Sequence, residues 1–360
     1  MMDNDNGYGK LQQLLDDPTV SEIMINGPGK VFVERNGKKV ITDISFASEQ
    51  EVLKLVEKIY SVRGKRVDNE LPYADVCMED GTRINTIISP VSRFGISVTF
   101  RKFSKEIQNV EDLVRVGTIN KKGLDFMKAC IKGKVNMIFS GGTSVGKTTL
   151  LQMLSQYFSP HERVVTVEDS AELKLDQENV ISLETKTPDR DGKGGVTLRD
   201  LISNSLRMSP DRLVVGEVRG AESIDMIQAM SVGHSGTIAV MHGNSPREVM
   251  SRLETMILMS GINLPSHEVK KLIASTIQVV VHMQRLWDGS RKVVSITEIR
   301  GMEGTQIVYN DLFIYRFSKK DEKGNDTYDL LPAIRYYPLF FDRMRRMNLI
   351  SDKIFEIEEN

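Results

Sequence analysis

The stretch SGGTSVGKTTLLQMLSQYF, Ser140 to Phe158, sets Gly141, Gly146, Lys147 and Thr148 at the spacing G-x-x-x-x-G-K-[ST]. A loop of this kind can wrap a polyphosphate in backbone N–H groups while its lysine reaches the outer phosphates. Thr148 offers a hydroxyl to Mg²⁺, and Gly141 and Gly146 let the backbone come close to phosphate oxygen. The apolar run VNMIF precedes the loop, and Leu150, Leu151, Leu154, Tyr157 and Phe158 follow it at helical spacing. The loop therefore opens onto a helix N-terminus, where unpaired N–H groups and the macrodipole favour phosphate. The expected nucleotide-binding residues are Gly141, Gly142, Thr143, Ser144, Val145, Gly146, Lys147, Thr148 and Thr149.

Cleaving a phosphoanhydride also needs carboxylates near the metal and the attacking water. RLVVGEVRG ends an apolar strand in Glu217, and RVVTVEDSAEL ends another in Glu168, Asp169 and Glu172. Crevices form at the carboxyl ends of parallel strands, so both acids are expected at one edge. One would organise Mg²⁺ or its waters and the other would orient or deprotonate water. Thr148 and Glu217 are the expected metal residues, partly through water. His242 ends the strand GTIAVMH beside Gly243, within reach of a γ-phosphate, and is assigned a sensing role; His234 lies in the same Ser- and Gly-rich stretch. Among arginines that could neutralise a transferring phosphoryl group, Arg207 and Arg219 flank the Glu217 strand and Arg101 precedes a linker. These three rank ahead of Arg212.

The elements that must position these groups fall into two parts, as a length of 360 residues suggests. Residues 11–103 alternate short elements with turns. Asp17 and Pro18 take helix-cap and first-turn positions, KVFVERNGKKVI turns at Asn36-Gly37, and SEQEVLKLVEKIYSVRG is an amphipathic helix ended by Gly64. A second hairpin turns at Asp80-Gly81, and GISVTFRKF closes a small N-terminal α/β domain with a mostly antiparallel sheet. Residues 1–10 read as a flexible N-terminus and 104–118 as a polar linker, with the boundary near residue 112. Over 119–360, the strands VNMIF, RVVTVED, NVISLE, RLVVGE and GTIAVMH alternate with helices, the pattern of a parallel sheet covered on both faces. Alternating strands return over 292–316, and YYPLFFDRMRRMNLI forms a C-terminal helix that packs Leu339, Phe340, Met344 and Met347.

Composition narrows the function classes. The chain is 40% hydrophobic and 27% charged, with a formal charge of −1, so no bulk attraction draws it to nucleic acid or anionic lipid. The polar MMDNDNGYGK lacks the features of a signal peptide, and no apolar run approaches the roughly 18 residues that span a bilayer. An intracellular chain with no transmembrane segment of its own is expected. Cys77 and Cys130 are isolated and read as buried side chains rather than metal ligands.

Taken in order, GGTSVGKTTLL, VVTVEDSAEL, LRMSPDRLVVGEVRGAES and GHSGTIAVMHGNSP resemble the Walker A, Asp box, Walker B and His box of the type II/IV secretion and type IV pilus ATPases. DPTVSEIMINGPGKVFVERNGK and GISVTFRKF resemble the N-terminal domain of the Tad pilus branch, and IVYNDLFIYRF extends the likeness downstream. The resemblance implies a RecA-like P-loop domain and a homohexamer at the cytoplasmic face of the inner membrane. ATP would be bound between the two domains, and its hydrolysis would rock one against the other to drive a membrane platform protein. It implies ATP and Mg²⁺ at Lys147 and Thr148, Glu168 as catalytic acid, Glu217 as Walker B acid and His242 as the second His-box histidine. Arg101 and Arg207 become phosphate-contacting or inter-subunit arginines. The chain departs from the family loop G-x-T-G-S-G-K-T at Ser144 and Val145, has Gly216 before Glu217 without a preceding aspartate, as is usual for the family, and lacks a tetracysteine zinc module.

Two other functions share parts of this pattern. A RecA-type nucleic-acid translocase would use the same fold with a basic, aromatic-lined channel, which the near-neutral charge and 6% aromatic content disfavour. A small-molecule kinase or GTPase would need no ring, and the N-K dipeptide at Asn120-Lys121 precedes the phosphate loop instead of following it.

Overall fold

In the computed structural model, residues 8–35, 37–78, 80–102, 107–188, 191–320 and 325–356 are described. The chain divides into two compact units, 1–107 and 108–360. Residues 1–7 of the expected flexible terminus, Asn36 of the first hairpin turn and residues 104–106 of the expected linker lie outside the described residues.

The first unit is built on six strands: β1 (Val20–Asn26), β2 (Val31–Arg35), β3 (Lys38–Ile41), β4 (Tyr73–Cys77), β5 (Arg83–Ile87) and β6 (Ser97–Arg101). They form one sheet in the order β3-β2-β1-β6-β5-β4, every pair antiparallel. Alternation along β1 and β6 buries Ile23, Ile25, Val98 and Phe100. Against them pack Val52, Val56 and Ile59 of α2 (Glu49–Ser61), whose N-cap Ser48 accepts from the Glu51 amide. Tyr60 locks this layer, its hydroxyl lying 2.9 Å from the carbonyl oxygens of both Ala74 and Ile84.

One local expectation fails here. Asp17 does not start a helix; it ends the short α1 (Gln12–Asp16), and β1 follows three residues later. Its carboxylate accepts from the Thr19 amide at 2.9 Å. An aspartate that folds a turn and one that caps a helix use the same side-chain-to-amide bond, so the residue alone does not separate them.

The second unit opens with α3 (Val110–Arg115), a six-residue helix inside the span read as linker, held by a capping box between Asn109 and Asp112. Next come α4 (Lys121–Lys132), β7 (Met137–Gly141), α5 (Lys147–Leu154), β8 (Val164–Glu168), β9 (Val180–Glu184), α6 (Leu198–Ser205), β10 (Arg212–Val215), α7 (Glu222–Ser231) and β11 (Ile238–His242). The chain continues through α8 (Pro246–Met259), α9 (Ser266–Thr276), β12 (Val279–Arg285), β13 (Arg291–Glu303), β14 (Gln306–Lys320), β15 (Asp326–Pro332) and α10 (Phe341–Arg346). The strands make one sheet, β15-β14-β13-β12-β7-β11-β10-β8-β9. From β12 to β9 all neighbours are parallel, and β13 to β15 extend the sheet antiparallel.

All five strands read from apolar runs are present, and each is buried along the centre of the sheet except the half-exposed edge β9. The C-terminal helix is shorter than its stripe of apolar residues. Phe340 and Met344 are buried, whereas Leu339 and Met347 fall outside α10 and are exposed. Among the described residues no helix is long and apolar enough to cross a membrane.

Candidate functional site

The loop between β7 and α5 carries the site. Gly141 has φ 150°, and a Cβ there would collide with the carbonyl oxygen of Met283 on the neighbouring β12. Any side chain at 141 would push the two strands apart, so sheet packing as well as ligand approach demands glycine. Gly146 caps α5 at φ 97° and, having no side chain, makes no cap bond to the first amides of that helix, the kind of terminus that favours an anion. Lys147 is 7% exposed and donates to the carbonyls of Gly141 at 3.0 Å and Gly142 at 2.6 Å. Burial pulls its ammonium pKa down to about 8, against the attraction of Glu217. Thr148 lies half-buried on the first turn of α5.

Two backbone contacts bring the acid and the histidine to this loop. His242 ends β11 opposite Gly141 in the register of the parallel pair. Past the end of β10, the Val218 amide donates to the Val240 carbonyl at 2.9 Å, which folds Glu217 over toward β11. Glu217 Oε2 accepts from Arg219 Nη2 at 2.6 Å. Its Oε1 lies 2.8 Å from His242 Nε2, yet this buried oxygen receives no aligned hydrogen bond. His242 Nδ1 in turn is 3.5 Å from Lys147 Nζ. Lys147, His242, Glu217 and Arg219 thus form one connected cluster.

The charges within the cluster are tuned by one another. Burial raises the Glu217 carboxyl, but the Arg219 hydrogen bond, the neighbouring His242 ring and the charges of Arg219 and Lys147 outweigh it and hold the group below the usual value. Burial and the Lys147 charge pull His242 below its ordinary value, so its ring is neutral near pH 7 and its contact with Glu217 is no full ion pair. The Glu217 hydrogen bond keeps Arg219 firmly protonated.

Glu168 shares the carboxyl edge with Glu217, since β8 and β10 are parallel neighbours, but it lies outside the Lys147 cluster. It ends β8, three strands from β7 and roughly 14 Å away at ordinary strand spacing. Its carboxylate turns back to accept from the amides of Glu172 and Leu173, each at 3.2 Å. At 3% exposure, burial pushes its pKa up to about 7 in spite of those amides. Gly216 is required beside it, because a Cβ there would sit 2.6 Å from Glu168 Cγ.

The remaining arginines separate by role. Arg207 is exposed in the turn after α6 and makes no ion pair among the described residues. Arg101 ends β6 in the first unit and pairs with Glu22 at 3.0 Å. Arg212 is fully buried at the opposite end of β10 from Glu217. There it binds Glu162 through two nitrogens, at 2.7 and 3.2 Å, stacks on Phe158, and donates to the carbonyls of Ile131 and Gly236. It is a structural tie. His234 is half-buried on the loop before β11, with Nδ1 unpartnered. One further histidine, His282 on β12, lies against the base of the loop and was not singled out by its sequence setting.

A family model described as Type II/IV secretion system protein matches residues 4–312. The chain belongs to the type II/IV secretion ATPase family. A protein of Mycobacterium tuberculosis named "Putative conjugal transfer protein" is 31% identical over 304 residues, spanning 83% of this chain and 86% of the relative. The type IV secretion system protein VirB11 of Brucella suis is 28% identical over 313 residues, 79% of this chain and 87% of its own. The fold is that of the Legionella pneumophila ATPase DotB, at TM-score 0.56, 20% identity and coverage of 78% and 77%. The pilus retraction motor PilT with bound ADP shares it at TM-score 0.56 and 15% identity, with coverage of 94% and 87%.

Set in this secretion ATPase, the departures from the family loop have a physical reading. Ser144 occupies the left-handed region at φ 59°, where the family pattern has glycine, at a backbone cost of order 1 kcal/mol. Val145 is buried under the loop and packs against Gly141, so a hydrophobic contact supports the turn. A divalent cation fits the donor set present: the Thr148 hydroxyl stands at the helix start and Glu217 supplies a carboxylate at the same edge.

Proposed function

We propose that this secretion ATPase is a motor that couples Mg-ATP hydrolysis to movement between its two units, as a homohexamer at the cytoplasmic face of the inner membrane. It acts on an integral membrane platform protein and assembles or retracts a Tad- or type IV-like pilus, or drives export. The units work as an N-terminal domain over 11–103 and an ATPase domain over 119–360, with 104–118 as the hinge segment.

The observation that carries the reading is the convergence of Lys147, His242, Glu217 and Arg219 on the edge where α5 presents its free amides. Bound Mg²⁺ would supply charge neutralisation at the outer phosphates. Thr148 and, through water, Glu217 would hold it. Residues 141–149 bind the phosphates, and the neutral His242 ring reads the γ-phosphate position and passes it to Glu217. Glu168, with a pKa near 7, is suited to take a proton from water at the carboxyl edge it shares with Glu217. Arg219 holds Glu217 ionised, and Arg207 and Arg101 reach phosphate in their own or a neighbouring subunit. The Tad assignment is supported by the N-terminal motifs, and the conjugal-transfer and VirB11 relatives support the secretion ATPase reading as a whole.

Sedimentation and ATPase assays on the purified chain test this together. The expected result is Mg²⁺-dependent ATP turnover by a species of hexamer mass. A monomer at saturating Mg-ATP with turnover independent of protein concentration would sink the motor reading.

A further inference from the structure

β12 buries the run Val279 to Met283, and His282 within it is 2% exposed. An imidazole among valines is unfavourable unless its ring atoms find partners. Nδ1 lies 2.9 Å from Ser140 Oγ, and the Gln284 side-chain amide is 3.3 Å from Nε2. The backbone of Asn244 also lies close enough to the ring to favour its protonated form, although burial still holds the ring below its ordinary pKa.

The partners matter because of where they sit. Ser140 immediately precedes Gly141 at the root of the phosphate loop, and His282 faces it in the register of the parallel pair β12–β7. Asn244 comes two residues after His242, on the turn leaving β11. In the sheet β7 lies between β12 and β11, so that turn must cross the end of β7 to meet His282. The turn is tight, since Gly243 leaves no room for a Cβ against Val249. One side chain therefore touches both the root of the phosphate loop and the turn that carries the sensing histidine.

We propose that His282 is a positioning residue for ATP turnover, setting the spacing between the phosphate loop and the His242 turn through its contacts with Ser140 and Asn244. It touches neither phosphate nor water. A change of spacing there moves His242 relative to Lys147 and should affect the chemical step far more than ground-state binding. The inference rests on the proposed role of His242.

Turnover and fluorescent-nucleotide affinity are compared for the full chain and its His282→Leu, His282→Asn, Ser140→Ala and His242→Ala variants. His282→Leu and Ser140→Ala should each lower kcat about 10-fold or more while Kd stays within about 3-fold. His282→Asn, which keeps a polar atom near the Nδ1 position, should return kcat to within about 3-fold of the parent. Parental kcat in either loss variant, parallel loss of kcat and affinity, or no recovery with asparagine overturns the proposal. If His282→Leu does not fold, Ser140→Ala and His282→Asn decide it on the same criteria. Parental turnover in His242→Ala would instead sink the site reading itself, whereas its loss beside an unaffected His282→Leu sinks only this inference.

Discussion

Arg219 Nη2 donates to Glu217 Oε2 at 2.6 Å, so one oxygen of this carboxylate is held by a cation while the other lies 2.8 Å from His242 Nε2. A carboxylate divided in this way is fixed in orientation by the cation and tied to the histidine through its second oxygen.

Replacing Glu217 by Gln keeps the shape and removes the charge. Nucleotide Kd should stay within about 3-fold while kcat falls about 100-fold or more, because charge aimed at the reacting phosphates acts mainly in the transition state. Arg219→Ala should show a smaller loss in the same direction. Single-turnover kinetics beside equilibrium binding check both, and unchanged kcat in Glu217→Gln removes that residue from the chemistry.

Lys147→Ala is expected to abolish measurable turnover. In the parent, the burial that brings Lys147 to about 8 gives the effect a sign: the cation is present below that pH and lost above it. The kcat/KM for ATP should therefore fall as pH rises through about 8. A flat profile from pH 7 to about 9.5 would contradict the assignment, since kcat/KM reports groups on the free enzyme.

Glu168 should set the opposite limb. A base must be deprotonated to accept a proton, and with its pKa near 7 the rate should rise with pH through that value. Glu168→Gln can still accept from the Glu172 and Leu173 amides, so it separates chemistry from loop structure. The expected outcome is a loss of about 100-fold in kcat without loss of thermal stability. Parental kcat would leave Glu168 as a loop anchor only.

Arg212 tests the reverse case. Arg212→Met leaves the buried Glu162 carboxylate with only Lys134, at 3.4 Å, and should destabilise the second unit by about 3 kcal/mol, the low end of the range for breaking a buried pair. The fraction that stays folded should show parental KM. Denaturant unfolding and steady-state kinetics read the two effects separately, and a stability within about 0.5 kcal/mol of the parent would refute the structural role.

Much of the site was legible because its parts are local. The phosphate loop is a contiguous stretch whose strand, glycines and helix follow from residue type over about twenty positions, and Glu217 and His242 each end an apolar run. His282 was hidden for the opposite reason: a histidine inside TIQVVVHM carries no local mark, and its meaning comes from Ser140, far away in the chain but next to it across the sheet. Arginines were the least legible, since Arg212 and Arg219 share a composition and a neighbourhood in sequence yet lie at opposite ends of one strand.

From its residues alone this chain declares a triphosphate loop, a parallel sheet to carry it and the acids and histidines at strand ends, because glycine conformation, apolar periodicity and strand termini are properties of short segments. Only the tertiary structure decides which of those groups meet. The order β12-β7-β11-β10-β8 brings His242 and Glu217 to Lys147, sets Glu168 three strands away and tucks His282 beneath the loop. Strand order is fixed by contacts between segments distant in the chain, and no local pattern encodes it.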